Sequence, residues 1–197
     1  QNLFITLKTF LFGLFLGSLT GVLVGAYCSM SKRTGSIPEQ LIYLAQPIPR
    51  FVLLPFIILI FGTGMLPKVI FISLGVFFPM AINTMSGVRD INNNFLEIAV
   101  HYGSRGWKLY KRVIFPGSLS SIFAGLRIST GFALTYTVII EFLTSTRGIG
   151  ATLWLSLQTL MMDKLFLCAA IIALLNVSMM YLLKIAESYL MPWNKPE

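Results

Sequence analysis

Apolar runs long enough to cross a bilayer alternate along this chain with short polar ones, and one polar stretch is out of proportion to the others. Residues 9–31 carry no charge. At 1.5 Å per residue they make a helix of about 35 Å, against a hydrocarbon core of about 30 Å. Similar runs extend from Phe51 to Pro67, from Val69 to Val88, from Val113 past Arg127 to Ile140, and from Leu165 to Leu183. The pattern predicts an all-α polytopic membrane protein with about five transmembrane helices. The disproportionate stretch lies between the third and fourth runs and carries Glu97, Arg105, Lys108, Lys111 and Arg112.

Within that island the spacing is helical. Asn94 stands three residues before Glu97, the spacing of an N-cap and a carboxylate that reaches back to it. Leu96, Ala99, Val100, Gly103, Trp107 and Tyr110 recur every three or four residues, so a short amphipathic helix is expected. Gly103 and Gly106 should split it into two pieces, and Pro116-Gly117 should stop it, with the next span starting at Ser118. A soluble partner docking from the cytosol accounts for such a helix between two spans. The expected organisation is one membrane domain over 1–190, with a coupling loop at 89–116, and a tail at 191–197.

Composition agrees with the bilayer: 56% of residues are hydrophobic and 11% charged, with a mean hydropathy of +0.80. The formal charge of +8 reads as orientation and contact with anionic lipid, not as a nucleic-acid footprint. Lys32, Arg33, Arg89, Arg105, Lys108, Lys111, Arg112, Lys184 and Lys195 gather on one side, which the positive-inside rule makes cytosolic. The other side receives Lys8, Lys68, Arg147 and Lys164. The first apolar run is too long for a removable signal peptide. The chain opens at Gln1 without an initiator Met and enters the apolar region almost at once, which leaves room for an earlier segment or span.

Little catalytic chemistry is visible. Cys28 and Cys168 do not make a disulfide framework and read as packing residues. His101 lacks ligand neighbours at metal spacing and reads as a surface helix residue, so no metal site and no catalytic residue are expected in this chain. Gly13, Gly17, Gly21 and Gly25 lie on one helical face, where a neighbouring helix can approach closely. Pro47, Pro49 and Pro55 predict an irregular entrance or kink in the second span. Polar groups inside spans are candidates for a solute pathway: Asn83 in the third, and Arg127, Thr130, Thr137 and Glu141 in the fourth. Thr130 and Thr137 share a face with Ala133. Arg127 would attract an anion or snorkel to the interface, and Glu141 suits a cap or a gate near the far end.

The island also carries a motif. Glu97, Ala99, Gly103 and Pro116 stand in the register E-A-A-x-x-x-G-x(9)-I-x-L-P, with Ile98, Val113 and Phe115 as apolar departures. The segment resembles the cytoplasmic loop of permease subunits of binding-protein-dependent ABC importers. Thr6-Leu7, Gly62-Thr63-Gly64, Phe78-Pro79, Glu141 and Gly148-Ile149-Gly150 are similar to the nitrate, sulfonate and taurine branch of that family.

The resemblance implies a type I ABC importer permease fold in a bacterial inner membrane. It implies a second permease copy, cytosolic ABC ATPase subunits seated on the loop through Glu97, Ala99, Gly103 and Pro116, and an extracytoplasmic solute-binding protein. ATP and Mg would be used by the partner ATPase, with no cofactor in this chain. The solute would be a sulfonate, taurine, nitrate or a vitamin-like aromatic. The competing reading is a self-sufficient channel or ion-coupled carrier, for which only Glu141 offers an intramembrane acid.

Overall fold

The computed structural model describes residues 1–30, 36–144 and 147–192. Lys32, Arg33, Ser145, Thr146 and most of the 191–197 tail, Lys195 included, lie outside the described residues. Among the described residues, four helices are long and apolar enough to span a membrane: α1 (Asn2–Met30), α4 (Met65–Arg89), the helix running Trp107–Thr144, and α9 (Met162–Leu190). A fifth crossing is broken. It consists of α2 (Ser36–Ala45), a 3₁₀ turn at Arg50–Leu53 and α3 (Leu54–Phe61), bent by 94° at the break.

That break revises the second span, expected as one run from Phe51 to Pro67. The kink comes from Pro47 and Pro49, which cannot donate to a helix. The upper limit falls at Phe61, because Gly62 adopts φ +77 as the C-cap and α4 starts at Met65. Pro67 and Lys68 therefore belong to α4.

The glycine stripe dictates the packing. A Cβ on Gly17 would lie 2.6 Å from the Ser73 carbonyl oxygen, and one on Gly25 2.5 Å from that of Ala81. Only a side-chain-free face permits such an approach. Gly13 faces Ile72, Gly17 faces Val76 and Gly21 faces Met80. The contacts advance together along both helices, so α1 and α4 run parallel. The broken crossing is the return stroke that parallel neighbours require.

α7 (Phe115–Thr144) runs antiparallel to α4: Gly75 meets Tyr136, Asn83 meets Gly125, and Gly87 meets Ser121. The main core lies where α1, α4 and α7 converge, with Phe10, Leu14, Ile72, Val76, Met80, Ala133 and Leu134. Cys28 and Cys168 are buried and free, as packing residues. α9 returns beside α7 with Cys168 alone buried among its residues. Its other faces await lipid or protein.

Candidate functional site

At the end of the bundle where α4 finishes, Asp90 closes the helix and the backbone turns through Asn92. The Asn92 side chain accepts from the Asn94 N–H at 2.9 Å and caps α5 (Asn93–His101). The cap thus falls two residues before the expected Asn94. Three consecutive Asn offered equivalent side chains, and the one in extended backbone (ψ 126°) takes the role. Glu97 then lies in the second turn, beyond the reach of a capping box, and is exposed.

The other end of α5 is closed by Gly103 at φ +78. The Ser104 N–H bonds the Ala99 carbonyl at 2.9 Å and the Gly103 N–H bonds that of Val100 at 2.9 Å. This is a Schellman closure, which needs a left-handed residue just past the helix. Ala99 and Gly103, two positions of the motif, are therefore the accepting carbonyl and the turning residue of one helix stop. His101 is exposed in the last turn.

Gly106 (φ +54) opens the second piece, α6 (Trp107–Leu109). From there the helix does not stop at Pro116. It continues through a π turn at Tyr110–Ile114 into α7, with the Phe115 N–H reaching the Tyr110 carbonyl. The expected start at Ser118 is thus moved to Trp107. The wide turn shifts the register by one residue and accommodates the donor that Pro116 lacks.

Leu96 and Ala99 of the expected apolar side are half-buried, while Val100 and Trp107 are exposed. A further row, Phe95, Ile98 and Tyr102, stands out into solvent, with Tyr102 86% exposed. Its spacing of three and four was present in the sequence.

At the opposite end stands a buried polar node. Glu141 of α7 is fully buried and accepts from the Thr6 hydroxyl at 2.8 Å and the Gly150 N–H at 3.1 Å. Thr6 in turn accepts from the Ile149 N–H at 2.9 Å. Together they cap α8 (Ile149–Gln158), tying α1, α7 and α8 at one point. Gly148 has φ +118, and a Cβ there would fall on the Glu141 carboxyl.

Beside this node lies a cavity of about 640 Å³ whose lining includes Lys8, Lys68 and Arg147, together with Thr9, Thr63 and Thr144. Three of the four cations assigned to the outer side converge on it.

The other intramembrane candidates are dispersed. Arg127 pairs with Glu187 of α9. Asn83 is half-buried against Gly125 and donates to the Pro79 carbonyl at 2.8 Å. Thr130 and Thr137 are fully buried, donating to the carbonyls of Leu126 (2.8 Å) and Ala133 (2.7 Å). Arg127 lies toward the loop end of α7 and Glu141 toward the other, so the five do not form one cluster.

The fold is that of a known structure. The chain superposes on a subunit of the inward-facing MetNI methionine ABC transporter with a TM-score of 0.78 at 16% identity, covering 98% of this chain and 94% of that one. It is 30% identical to a putative ABC transporter permease protein of Methanocaldococcus jannaschii, over 99% of this chain and 73% of that protein. It is 29% identical to the taurine transport system permease protein TauC of Escherichia coli, over 98% and 70% respectively. A putative aliphatic sulfonates transport permease protein, SsuC of Bacillus subtilis, is 29% identical over 92% of this chain and 66% of that protein. Residues 13–190 match the family of binding-protein-dependent transport system inner membrane components. This chain belongs to that family and is a multi-pass inner-membrane permease subunit of an ABC importer, a transport component and not an enzyme.

Proposed function

We propose that the chain forms, with a second copy of itself, the path of an ATP-driven importer for a small organic or inorganic anion, and that α5 is the element gripped by a cytosolic ATPase. The observation that carries this is the state of α5. It is capped by Asn92, stopped by Gly103 and left with Phe95, Ile98 and Tyr102 uncovered by its own chain. A helix fixed at both ends and apolar on its free face binds a groove with little ordering cost. Glu97 stands among those residues as a charge for a basic partner. ATP and Mg would be used in the ATPase, whose closure would push the paired loops and rock the spans as rigid bodies.

The anion class has two supports. Relatives with similar sequences are named for taurine and aliphatic sulfonates, and the outer cavity is lined by Lys8, Lys68 and Arg147. Cationic walls raise the local concentration of anions. A solute-binding protein would release its cargo at that end.

The test is a pull-down from detergent-solubilised membranes with this chain tagged, comparing wild type with Gly103→Asp and identifying the co-purifying proteins by mass. An ATP-binding subunit recovered with wild type and lost from the folded variant supports the reading. Intact wild-type complexes without an ATPase would overturn it, and unequal permease chains would overturn the homodimer. Reconstituted with its partners, the complex should accumulate taurine, an aliphatic sulfonate or nitrate only when ATP is present.

A further inference from the structure

The break in the second crossing places a cation deep in the membrane. Arg50 opens the 3₁₀ turn, and its guanidinium carbon sits 4.8 Å from the centre of the Phe78 ring. Phe78 stands midway along α4, so Arg50 lies near mid-depth, far from either headgroup layer. One terminal nitrogen donates to the Gln46 carbonyl at 2.8 Å. The Nε is buried and has no hydrogen-bond partner among the described residues.

Two costs coincide here. Between Ala45 and Arg50 the backbone leaves the helix; the Gln46 and Ile48 N–H groups bond the Ile42 and Ala45 carbonyls at 3.0 and 3.2 Å and Pro47 and Pro49 have none, so the groups left for hydration are carbonyl oxygens. Non-helical backbone is tolerated at this depth only where protein covers it or water fills the space beside it. This chain does not cover it: Ile48 is 50% exposed and Phe51 61% exposed. A guanidinium facing lipid would be equally unfavourable. Water beside the break relieves both.

The guanidinium is also held in place. Its face rests on Phe78 and one nitrogen is fixed by Gln46, which leaves further N–H groups of a planar fork to offer. Such a fork matches the oxygens of a sulfonate, carboxylate or nitrate.

We infer that the Gln46–Arg50 break lines a water-filled path and that Arg50 holds the charge of an anion midway through the membrane. The inference rests on the reading of the chain as an anion path and adds the residue that the anion meets. It differs from the pathway candidates of the sequence, of which Thr130 and Thr137 are sealed in the core.

The test uses thiol chemistry on the assembled complex in membrane vesicles without ATP, so it is independent of the pull-down. Cys28 and Cys168 are buried and set a low background. Ile48→Cys is treated with two membrane-impermeant thiosulfonates, one bearing a sulfonate and the other a trimethylammonium group. Each rate is normalised to that of a free small thiol.

Labelling well above wild type is expected, with the anionic reagent favoured about tenfold by the nearby positive charge. Adding Arg50→Gln should bring the ratio close to one, while Arg50→Lys should keep most of it. Phe51→Cys provides a second reporter should Ile48→Cys not assemble. Cysteines at both positions that stay inert to both reagents would overturn the path. A ratio unchanged by Arg50→Gln would overturn the role of Arg50.

Discussion

Thr6 and Glu141, 135 residues apart, meet in a buried hydrogen bond of 2.8 Å that fastens the start of α1 to the far end of α7. Thr6 donates to the carboxylate and accepts from the Ile149 N–H, while the carboxylate also accepts from Gly150. Two side chains thereby satisfy two of the donors that open α8.

Glu141→Ala strands the Thr6 hydroxyl and the Gly150 N–H and should cost about 2–4 kcal/mol, taking each stranded group at 1–3 kcal/mol with partial relaxation. Thr6→Ala should cost less, and the double variant less than the sum, because both act on one node. Glu141→Gln retains the volume and an accepting oxygen and should fall between wild type and Glu141→Ala. Thermal unfolding of the purified complex in detergent ranks the four. Additive losses would show that the two residues act separately.

Gly17→Val should prevent assembly or lower stability by about 3 kcal/mol or more, because the new atoms meet the Ser73 carbonyl oxygen and the α1 backbone cannot withdraw without opening the whole seam. Gly64→Ala is the control: its Cβ has nothing within 4 Å and its φ of −70 suits alanine. Yield of monodisperse protein and its unfolding temperature report both. Equal behaviour of the two variants would refute the seam.

These features differ in how far the sequence disclosed them. The glycine stripe could be read directly, because a period of four on an apolar helix leaves a bare face with only one use. What the stripe faces, and in which direction, depends on contacts 59 positions away that no local pattern encodes. The bend at Pro47 and Pro49 was legible for the same local reason, whereas its angle, and Arg50 beneath Phe78, came from packing. In the loop, Gly103 as a helix stop was readable. Asn92 as the cap was not, since three successive Asn differ only in backbone conformation. Pro116 misled because a proline after a helix normally ends it, and the π turn that accommodates it leaves no mark in the residue types.

Arg127 and Glu187 join α7 to α9, whose other inward anchor is slight. Their side chains are 42% and 20% exposed, so the pair should contribute about 1 kcal/mol in a double-mutant cycle of Arg127→Gln and Glu187→Gln. The exchange Arg127→Glu with Glu187→Arg should recover part of what either single reversal loses. Unfolding in detergent at low and at high salt provides the measurement, with smaller coupling at high salt. Zero coupling at low salt would leave α9 held by apolar contact alone.

Gly103→Ala tests the helix stop without steric interference, since a Cβ there meets nothing within 4 Å. The strain comes only from φ +78 and should cost about 1–2 kcal/mol in the closed turn. If the variant relieves this strain by opening the turn locally and the ATPase binds only the closed form, capture weakens by up to about 5- to 30-fold. Titration of the ATPase onto the reconstituted permease measures this. Unaltered capture would mean that the partner does not require the Schellman turn.

The seam between α1 and α4 sets bare glycine backbone against the Ser73 and Ala81 carbonyls and the branch points of Ile72 and Val76, so little flexible side chain lies between the two helices. α1 and α4 consequently act as one thick rod, and the turn at Asn92 follows that rod with only Asp90 and Ile91 between. Thr6 and Lys68 stand at the other end of the same pair of helices, a membrane's width away. The broken stroke is fastened differently, by side chains such as Leu54 and Ile57 against Phe71 and Ile140. Side chains give way more readily than a bare-backbone seam, so of the two contacts that α4 makes here this is the more yielding, and Arg50 stands at its bend.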